Sequence, residues 1–362
     1  MNPFSFSSPS SVDEAVRAAS VSGSALAYVP GAGAAYIAGG TNIVDLMKER
    51  ISKPLHLVDI NRVPLADITA TDDGGLMLGA LARNADTADH ALVRDSYPLL
   101  RAAILAGASP QIRNMATNGG NLLQRTRCYY FYDVGVPCNK REPGTGCPAI
   151  AGLSRQHAIF GGSGQCIATH PSDMCVALAA LDARVHVQSE SGSRVIDFAD
   201  FHRLPGERPD IDTTLEPGEL ITAIELPPSR FGQHCTYLKI RERSSYAFAL
   251  VSVAAALEFA EDGSIGAARI ALGGVAHKPW RNALAEQLLV GKQSTTEAFK
   301  QVAELILADA KAVGTDESPG PSRTNAYKIP LARRAIVRAL EMAQAGELTN
   351  TGEDAARKRG RT

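Results

Sequence analysis

The sequence predicts a protein of mixed helices and strands that is divided into two domains near residue 230. Before that point, short apolar segments typical of strands alternate with amphipathic segments typical of helices. After it, residues 236–240 and 248–259 predict strands, and the second run is so continuously apolar that both of its faces should be covered. Helical patterns follow at 282–290, 295–309 and 328–343.

Composition and charge exclude several classes of protein. The chain has 362 residues, 45% of them hydrophobic and 21% charged, which is ordinary for a globular protein. The formal net charge is −1, so no basic field indicates a nucleic-acid partner. No apolar run reaches the 18 residues of a membrane span. Residues 1–16 lack a basic region followed by an apolar core, so we expect no signal peptide.

Caps, glycines and periodicity place the other predicted elements. Ser11 and Glu14 form a capping box that opens a short helix. Ser172 and Asp173 are typical of the start of a helix. The serine hydroxyl can accept from a free backbone N–H group of the first turn, and the aspartate carboxylate interacts favourably with the positive end of the helix dipole. The predictions are strands at 35–38, 56–60, 75–80, 184–189 and 265–272, helices at 11–19, 98–106 and 174–181, a helix starting at 43, and loops at 200–219 and 261–264.

Two glycine loops share one pattern, a small or hydroxyl residue before Gly-Gly and a polar side chain after it. They are residues 38–42 (AGGTN) and 117–121 (TNGGN). Two such loops would hold the two phosphates of a dinucleotide with backbone N–H groups and Thr or Asn side chains. Neither matches the Rossmann or P-loop pattern, and either loop alone is more often an ordinary turn.

Four of the six cysteines fall in one segment, residues 112–173, which indicates metal ligation. A chain of this length without a signal peptide does not resemble a disulfide-stapled domain. The spacers of nine, eight and eighteen residues match neither a zinc ribbon nor a bacterial ferredoxin. Spacing alone favours an iron–sulfur cluster and leaves structural zinc and free thiols open. The four candidate ligands are Cys128, Cys138, Cys147 and Cys166.

Other polar and thiol residues have simpler interpretations. Cys175 and Cys235 lie in predicted apolar elements and are interpreted as packing residues. His157 and His170 lack partners at metal-ligand or triad spacing, so we interpret them as structural. The basic run 239–248 would polarise a flavin carbonyl, or it is a solvated charged hairpin, which suits most of its residues better.

Four segments together resemble the FAD-binding medium subunit of the xanthine dehydrogenase/CO dehydrogenase family of molybdenum hydroxylases. They are residues 36–42, 111–121, 170–183 and 239–257, in the order of the family. The cysteine segment, with RCYYFYD and PCNKR, resembles the [4Fe–4S]-containing flavoprotein subunits of periplasmic aldehyde oxidoreductase and, less closely, of 4-hydroxybenzoyl-CoA reductase.

The resemblance implies an α+β fold with stated boundaries. A PCMH-type FAD-binding domain of two subdomains would be followed by a CO dehydrogenase flavoprotein C-terminal-type α/β domain and a disordered tail. The implied ranges are 1–230 for the first domain, with subdomains about 1–62 and 63–230 and a cluster-binding insertion about 124–168, then 231–345, then 346–362 for the tail.

The resemblance also implies roles for residues. The glycine loops would hold the FAD pyrophosphate, Asp173 would lie near the ribityl chain and Lys239 near the flavin ring, while the four cysteines would ligate a [4Fe–4S] cluster. Asn118 departs from the β-branched apolar residue usual in the family. No residue is expected to be catalytic, since the redox chemistry is that of FAD. The implied FAD-binding residues are Tyr36, Ile37, Ala38, Gly39, Gly40, Thr41, Asn42, Thr117, Gly119, Gly120, Asn121, Asp173 and Lys239.

The implied function is electron transfer within a larger enzyme. A large molybdenum-cofactor subunit would oxidise an aldehyde or heterocycle, and a small subunit with two [2Fe–2S] clusters would pass electrons to this chain and on to an external acceptor. The complex would be periplasmic through co-export with a signal-bearing partner, or cytoplasmic. The alternatives are a free-standing flavin oxidoreductase and a zinc-stapled, non-catalytic assembly module.

Overall fold

A computed structural model describes residues 1–21, 33–314 and 324–348. The strands are β1 (Ser5–Ser7), β2 (Ala34–Ile37), β3 (His56–Asp59), β4 (Ile68–Ala70), β5 (Leu76–Gly79), β6 (Arg184–Ser189), β7 (Gly192–Asp197), β8 (Leu220–Leu226), β9 (Cys235–Ile240), β10 (Val251–Phe259), β11 (Ile265–Gly273) and β12 (Trp280–Arg281). The helices are α1 (Val12–Val21), α2 (Ile43–Lys48), α3 (Asn84–Asp89), α4 (Ala91–Ser96), α5 (Pro98–Ala106), α6 (Pro110–Arg113), α7 (Asn118–Leu122), α8 (Tyr129–Tyr132), α9 (Asp173–Ala180), α10 (Phe198–Phe201), α11 (Ala283–Gln287), α12 (Thr296–Leu307) and α13 (Lys328–Gln344). In these residues every helix is too short or too polar to cross a membrane.

The first sheet is parallel and carries the first glycine loop at one end. Its strand order is β1-β3-β2, and both neighbours pair with β3 in parallel. Helix α1 buries Ala15, Val16 and Ala19 against Val58 of β3, since these positions recur on one helix face. The loop at 38–42 follows the carboxyl end of β2, and helix α2 begins directly after it.

The second sheet is antiparallel, with the order β4-β5-β8-β6-β7. Helices α5 and α9 share one hydrophobic core with it. Pro98 occupies the first turn of α5, and the Ser172 hydroxyl caps α9 by accepting from the Cys175 amide over 3.0 Å. All eight residues of α9, including Cys175, are buried, so the packing role predicted for Cys175 is supported by its position.

The third sheet, of order β12-β11-β10-β9, is packed on both faces. Val253 and Leu257 of β10 face the core made with α12 and α13, while Ala254 and Ala256 face the core made with α5 and α9. Every residue from 251 to 257 is buried, which confirms the strand covered on both faces. Helix α12 contributes Phe299, Val302 and Ile306 at helical spacing, and Thr295 caps it.

Several predicted bounds change in the structure. The strand predicted from residue 248 begins at Val251, and Phe248 is left exposed. The predicted loop 200–219 begins inside α10, and it leads into β8, which the sequence did not reveal. The second glycine loop opens the short helix α7. The part of the predicted disordered tail beyond residue 348 lies outside the described residues.

Candidate functional site

The first glycine loop makes a close backbone approach to the segment just before the second. A Cβ atom on Gly39 would lie 1.8 Å from the carbonyl oxygen of Met115, so only glycine fits there. Gly40 has φ +73°, in the left-handed region that glycine tolerates best. Arg83 also donates to the Met115 carbonyl. The two loops therefore lie side by side, as a shared phosphate site requires.

The second loop is fixed from beneath by buried polar groups. The Thr117 hydroxyl accepts from the Gly120 amide over 3.3 Å and caps α7. Asn118 is fully buried, and its side-chain oxygen accepts from Asn84 at 3.0 Å and from the Thr87 hydroxyl at 3.1 Å. Asn118 is thus a structural residue of the loop.

Two cavities meet at the glycine loops. The first cavity lies between the glycine loops and β8. Its apolar wall is formed by Tyr36, Leu220 and Ile221. The second cavity, of about 620 Å³, lies between α5, the start of α9 and the segment 239–250. Residues on the wall of both are Thr41, Asn42, Gly120 and Gln124. The two together form an elongated site that is divided at its middle by the loops.

The predicted FAD residues are distributed over these cavities, with one exception. On the first cavity lie Tyr36, Ala38, Gly39, Gly40, Thr41, Asn42, Thr117, Gly119 and Gly120. On the second lie Asn121, Asp173 and Lys239, with Thr41, Asn42 and Gly120 again. Ile37 packs instead against the small core of Ala35, Ile43, Met47 and Leu57. The Ile37 side chain thus packs beside the loop, and its contact with FAD stays a prediction.

Asn42 provides a test of whether a phosphate group fits. Its side-chain oxygen accepts from the Arg125 amide over 3.1 Å. Its Nδ2 group is buried and makes no hydrogen bond of ordinary geometry, although the side chain also interacts with the Tyr132 hydroxyl, and Asn42 lies on the walls of both cavities. A buried N–H group without a partner costs about 1–3 kcal/mol, and a phosphate oxygen at this place would remove that cost. The loop residues thus fit the pyrophosphate of FAD.

Asp173 and Lys239 form a buried ion pair on the wall of the second cavity. Lys239 Nζ lies 2.7 Å from Asp173 Oδ2 and also donates to the Ala106 carbonyl at 3.0 Å. The Tyr237 hydroxyl donates to Asp173 Oδ1 over 2.6 Å, and burial raises the pKa of Tyr237 well above its usual value. Three elements, α5, α9 and β9, therefore fix the charges that face this cavity.

The four predicted cysteine ligands surround one small cavity. Cys128, Cys138, Cys147 and Cys166 all line it, although 38 residues separate the first from the last. Burial raises the pKa of Cys128 to about 12. An interaction with the Cys147 side chain, together with burial, raises the pKa of Cys166 to about 11, and the same interaction lowers the pKa of Cys147. A metal or cluster would displace these protons on binding.

Side chains with several hydrogen bonds fix the cysteine loops. Arg141 donates to the carbonyls of Tyr130 and Phe131, each over 2.8 Å. Asn139 Nδ2 donates to the Gln165 carbonyl at 3.0 Å, which ties the Cys138 loop to the Cys166 loop. Gly144 and Gly146 have φ values of +87° and +109° between two of the ligands. The positions of the thiols are therefore set by the surrounding backbone.

Asp212 links the cysteine segment to the first cavity, and sequence analysis missed it. Arg125 donates to Asp212 over 2.8 Å, and Lys140 also pairs with it. Burial alone would raise the pKa of Asp212, but these two cations hold it well below the usual range. Asp212 lies on the loop predicted at 200–219. The sequence does not indicate its ion-pair partners, because Arg125 and Lys140 are distant from it in the chain.

His157, interpreted from the sequence as a structural histidine, lies against the cysteine cavity. Its Nε2 atom is 3.1 Å from Cys128 Sγ. Burial and the neighbouring Lys328 lower the pKa of His157 to about 4, so the ring is neutral at pH 7. Neither spacing nor motif signals this contact, since Cys128 and His157 are joined only by the folding of the cysteine loops.

A second group of ligand-type side chains is formed by His170, which is half-buried, and the buried residues Cys175 and His202. Their candidate ligand atoms lie within 4.8 Å of one another, which makes this the one such group of three within the described ranges. The His202 Nε2 atom contacts the Leu122 carbonyl at 2.8 Å, and the Ser172 amide donates to His170 Nδ1 at 3.4 Å. An Nδ1 atom that accepts a hydrogen bond leaves the proton of His170 on Nε2, so that ring offers no free lone pair to a metal.

Family models match almost the whole chain. The model "FAD binding domain in molybdopterin dehydrogenase" matches residues 2–229, and the "CO dehydrogenase flavoprotein C-terminal domain" matches residues 236–343. The chain belongs to the family of FAD-binding medium subunits of molybdenum hydroxylases. The family, the fold class and the oxidoreductase class predicted from the sequence are thereby confirmed for this medium subunit.

Individual relatives agree with this assignment. The aldehyde oxidoreductase FAD-binding subunit PaoB of Escherichia coli (strain K12) is 52% identical over 315 residues, which cover 86% of this chain and 92% of that protein. The glyceraldehyde dehydrogenase medium chain of Sulfolobus acidocaldarius is 28% identical over 84% of this chain and 87% of its own. A chain of the carbon monoxide dehydrogenase from Hydrogenophaga pseudoflava superimposes with a TM-score of 0.70 at 26% identity, covering 95% of this chain and 98% of that chain. The medium subunit is of the aldehyde oxidoreductase type.

Proposed function

We propose that this medium subunit holds FAD and a [4Fe–4S] cluster and transfers electrons within an aldehyde-oxidising molybdenum hydroxylase. The observation that carries the proposal is the convergence of Cys128, Cys138, Cys147 and Cys166 on one cavity beside the FAD site. The 52% identity to an aldehyde oxidoreductase subunit supports an aldehyde as the substrate of the assembly. Oxidation of that substrate would occur on the large subunit that carries the molybdenum cofactor.

The spacers between the thiols favour a cluster over zinc. They are nine, eight and eighteen residues long, unlike the short CxxC pairs of a zinc ribbon. A [4Fe–4S] cluster is a larger body that cysteine thiolates hold from outside, and loops that contain glycine and proline can wrap around it.

Adjacent cavities support electron transfer between cluster and flavin. Cys128 lies on the cysteine cavity and also on a small cleft that it shares with Arg127, Asp173 and Phe248. The latter three also line the second cavity, where Lys239 would face the flavin ring. Cys128 is therefore the ligand on the flavin side. When bound, FAD supplies a redox centre that accepts single electrons and delivers them to an acceptor.

The residues of the chain would position FAD along both cavities. The glycine loops and Asn42 would donate to the pyrophosphate where the cavities meet, and the apolar wall around Tyr36 and Leu220 would enclose one end of the dinucleotide. The paired charges of Asp173 and Lys239 would orient the other end. As part of the proposal, the FAD-binding domain spans 1–230, with the insertion at about 124–168, and the C-terminal domain spans 231–345.

The proposed partners are a large molybdenum-cofactor subunit, a small subunit with two [2Fe–2S] clusters and an external electron acceptor. The names of the relatives support an assembly, since they are called a FAD-binding subunit or a medium chain. We propose that the complex is periplasmic, exported with a partner that carries the signal. Fractionation of cells into periplasm and cytoplasm, followed by detection of this chain, tests that location.

Two measurements test the function itself. The purified complex should reduce an acceptor with an aldehyde, and removal of FAD should abolish acceptor reduction while the aldehyde still bleaches the [2Fe–2S] clusters. The medium subunit alone should not oxidise aldehydes. Aldehyde turnover by the subunit alone would favour a free-standing flavin oxidoreductase, and a colourless subunit with stoichiometric zinc would favour an assembly module.

A further inference from the structure

His157 is held on the wall of the cysteine cavity, between two ligands in the sequence. The side chain is 2% exposed, and Nε2 lies 3.1 Å from Cys128 Sγ, within the distance of a hydrogen bond to sulfur. The other ring nitrogen, Nδ1, is buried and makes no hydrogen bond in the structure. His157 therefore makes one polar side-chain contact, and that contact is to a proposed cluster ligand.

The direction of this hydrogen bond follows from the charge of the ligand. Cysteine binds iron as a thiolate, which has no proton to donate. The hydrogen must then lie on His157 Nε2, and in a neutral ring Nδ1 carries a lone pair. A buried Nδ1 without a partner agrees with this tautomer, because no N–H group is left without an acceptor there.

The backbone of His157 is anchored by the C-terminal helix. Lys328 of α13 is fully buried, and its Nζ atom donates to the carbonyls of Gln156 and His157 at 3.0 Å each and of Gly274 at 2.8 Å. The His157 amide donates to the Ser154 carbonyl over 2.8 Å. These bonds fix the backbone of His157, and the contact of Nε2 with Cys128 Sγ orients its imidazole.

We propose that His157 is a positioning residue that donates a hydrogen bond to the Cys128 thiolate and raises the reduction potential of the cluster. The inference rests on the proposed [4Fe–4S] cluster. A hydrogen bond to a ligand sulfur stabilises the more negative, reduced cluster and so favours its reduction. Cys128 is the ligand on the flavin side, so the bond acts on the sulfur closest to the proposed electron path.

Substitutions at His157 in the whole complex test the role. His157→Leu removes the donor, and His157→Gln keeps an N–H donor on a side chain of similar reach. His234→Leu, just before β9 and beside Phe259, is a control for loss of an imidazole away from the cavity. Iron and acid-labile sulfide are measured first, and the potential of the [4Fe–4S] signal is then titrated by electron paramagnetic resonance.

We expect His157→Leu to keep its iron and to reduce less readily by about tenfold, which is about 59 mV for one electron. His157→Gln should recover part of this change, and His234→Leu should match the wild type. An unchanged potential in His157→Leu with full iron would overturn the role of His157. A wild-type complex without iron in this chain would instead overturn the proposed cluster.

A measurement on the wild type covers the case in which His157→Leu loses the cluster. Complex grown with ¹⁵N-labelled histidine should show, in pulsed electron paramagnetic resonance of the reduced [4Fe–4S] signal, a coupling to a histidine nitrogen that persists in His277→Leu, because the His277 side chain interacts with Cys166. The same signal should show an exchangeable proton in D₂O. Absence of both couplings would contradict the hydrogen bond whether or not the variant is stable.

Discussion

The Arg125 amide donates to the Asn42 side-chain oxygen over 3.1 Å, and this bond joins the first glycine loop to the start of the cysteine segment. The Arg125 guanidinium in turn donates to Asp212 over 2.8 Å. Asp212 also pairs with Lys140, which lies between Cys138 and Cys147 in the sequence. The proposed FAD loop and the proposed cluster loops are thus connected through a few buried polar groups, and a change in one should be transmitted to the other.

Asn42→Ala should weaken FAD binding. The substitution removes the buried Nδ2 donor at the junction of the cavities and the acceptor for the Arg125 amide. Loss of one hydrogen bond to a charged phosphate, about 1.5 kcal/mol, corresponds to roughly a tenfold higher Kd. Flavin absorbance retained after gel filtration measures the effect. Asn282→Ala, which removes the cap of α11 in another part of the chain, should retain FAD. Equal flavin content in the two variants would contradict the role of Asn42.

Gly39→Ala should disrupt the contact between the glycine loops. The added Cβ would lie 1.8 Å from the Met115 carbonyl oxygen, so the backbone must move. Overpacking of this kind typically costs about 1–3 kcal/mol, and we expect loss of FAD together with a lower free energy of unfolding. Gly266→Ala is the matched control, because its Cβ would meet neighbours at 3.7 Å, an ordinary contact. Urea unfolding and flavin content are the measurements, and full flavin content in Gly39→Ala would be inconsistent with the close approach.

Breaking the buried pair of Asp173 and Lys239 should destabilise the chain more than removing both charges. Lys239→Met leaves a buried carboxylate with only the Tyr237 hydroxyl, and Asp173→Asn leaves a buried ammonium. Each single change should cost about 3–5 kcal/mol, and the double variant should cost less than their sum. Glu304→Gln, in the exposed pair with Arg333, should change the free energy of unfolding little. Additive single effects would show that the pair does not interact as described.

Stability should fall as the pH is lowered from 6.5 towards 4, because of buried histidines. Burial lowers the pKa of His202 from 6.5 to about 4, although the Leu122 carbonyl and Asp212 oppose the shift and Lys278 adds to it. Between these values the unfolded chain binds a proton that folded His202 does not, so the folded state loses up to about 3 kcal/mol as the pH falls. Above pH 6.5 both states are neutral and the contribution is complete.

A variant at His202 separates this effect from general acid unfolding. His202→Gln should flatten the dependence of unfolding free energy on pH in the window from 6.5 to 4. Other buried histidines, such as His157, contribute in the same window, so part of the slope will remain. A His202→Gln slope equal to that of the wild type would be evidence against the buried neutral ring.

The sequence was most informative where residue type alone carries the chemistry. Gly-Gly pairs and cysteine thiols are unusual enough that the two loops and the four thiols were predicted, and the structure brings each set together. Helices with caps were also predicted well, since Thr295 and Ser172 fix the starts of α12 and α9 locally. Such signals lie within a few residues of one another, and neighbours distant in the chain do not alter them.

Contacts between distant segments escaped prediction. Asp212 is 87 residues from Arg125 and 72 from Lys140, and His157 is 29 residues from Cys128. Strand β8 follows a loop rich in proline and acidic residues, and its burial does not alternate strictly, so no period of two is visible. These features depend on how the loops fold against the sheets, which residue spacing does not encode.

The iron content of the complex with and without Cys138 tests the central claim most directly. With the two [2Fe–2S] clusters of the proposed small subunit, the wild-type complex should contain about eight iron atoms, and Cys138→Ser should retain about four while keeping most of its FAD. Cys235→Ala, at the start of β9 and outside the cysteine cavity, should keep all of the iron. An iron count unchanged by Cys138→Ser, or the loss of a single zinc ion instead, would contradict the account.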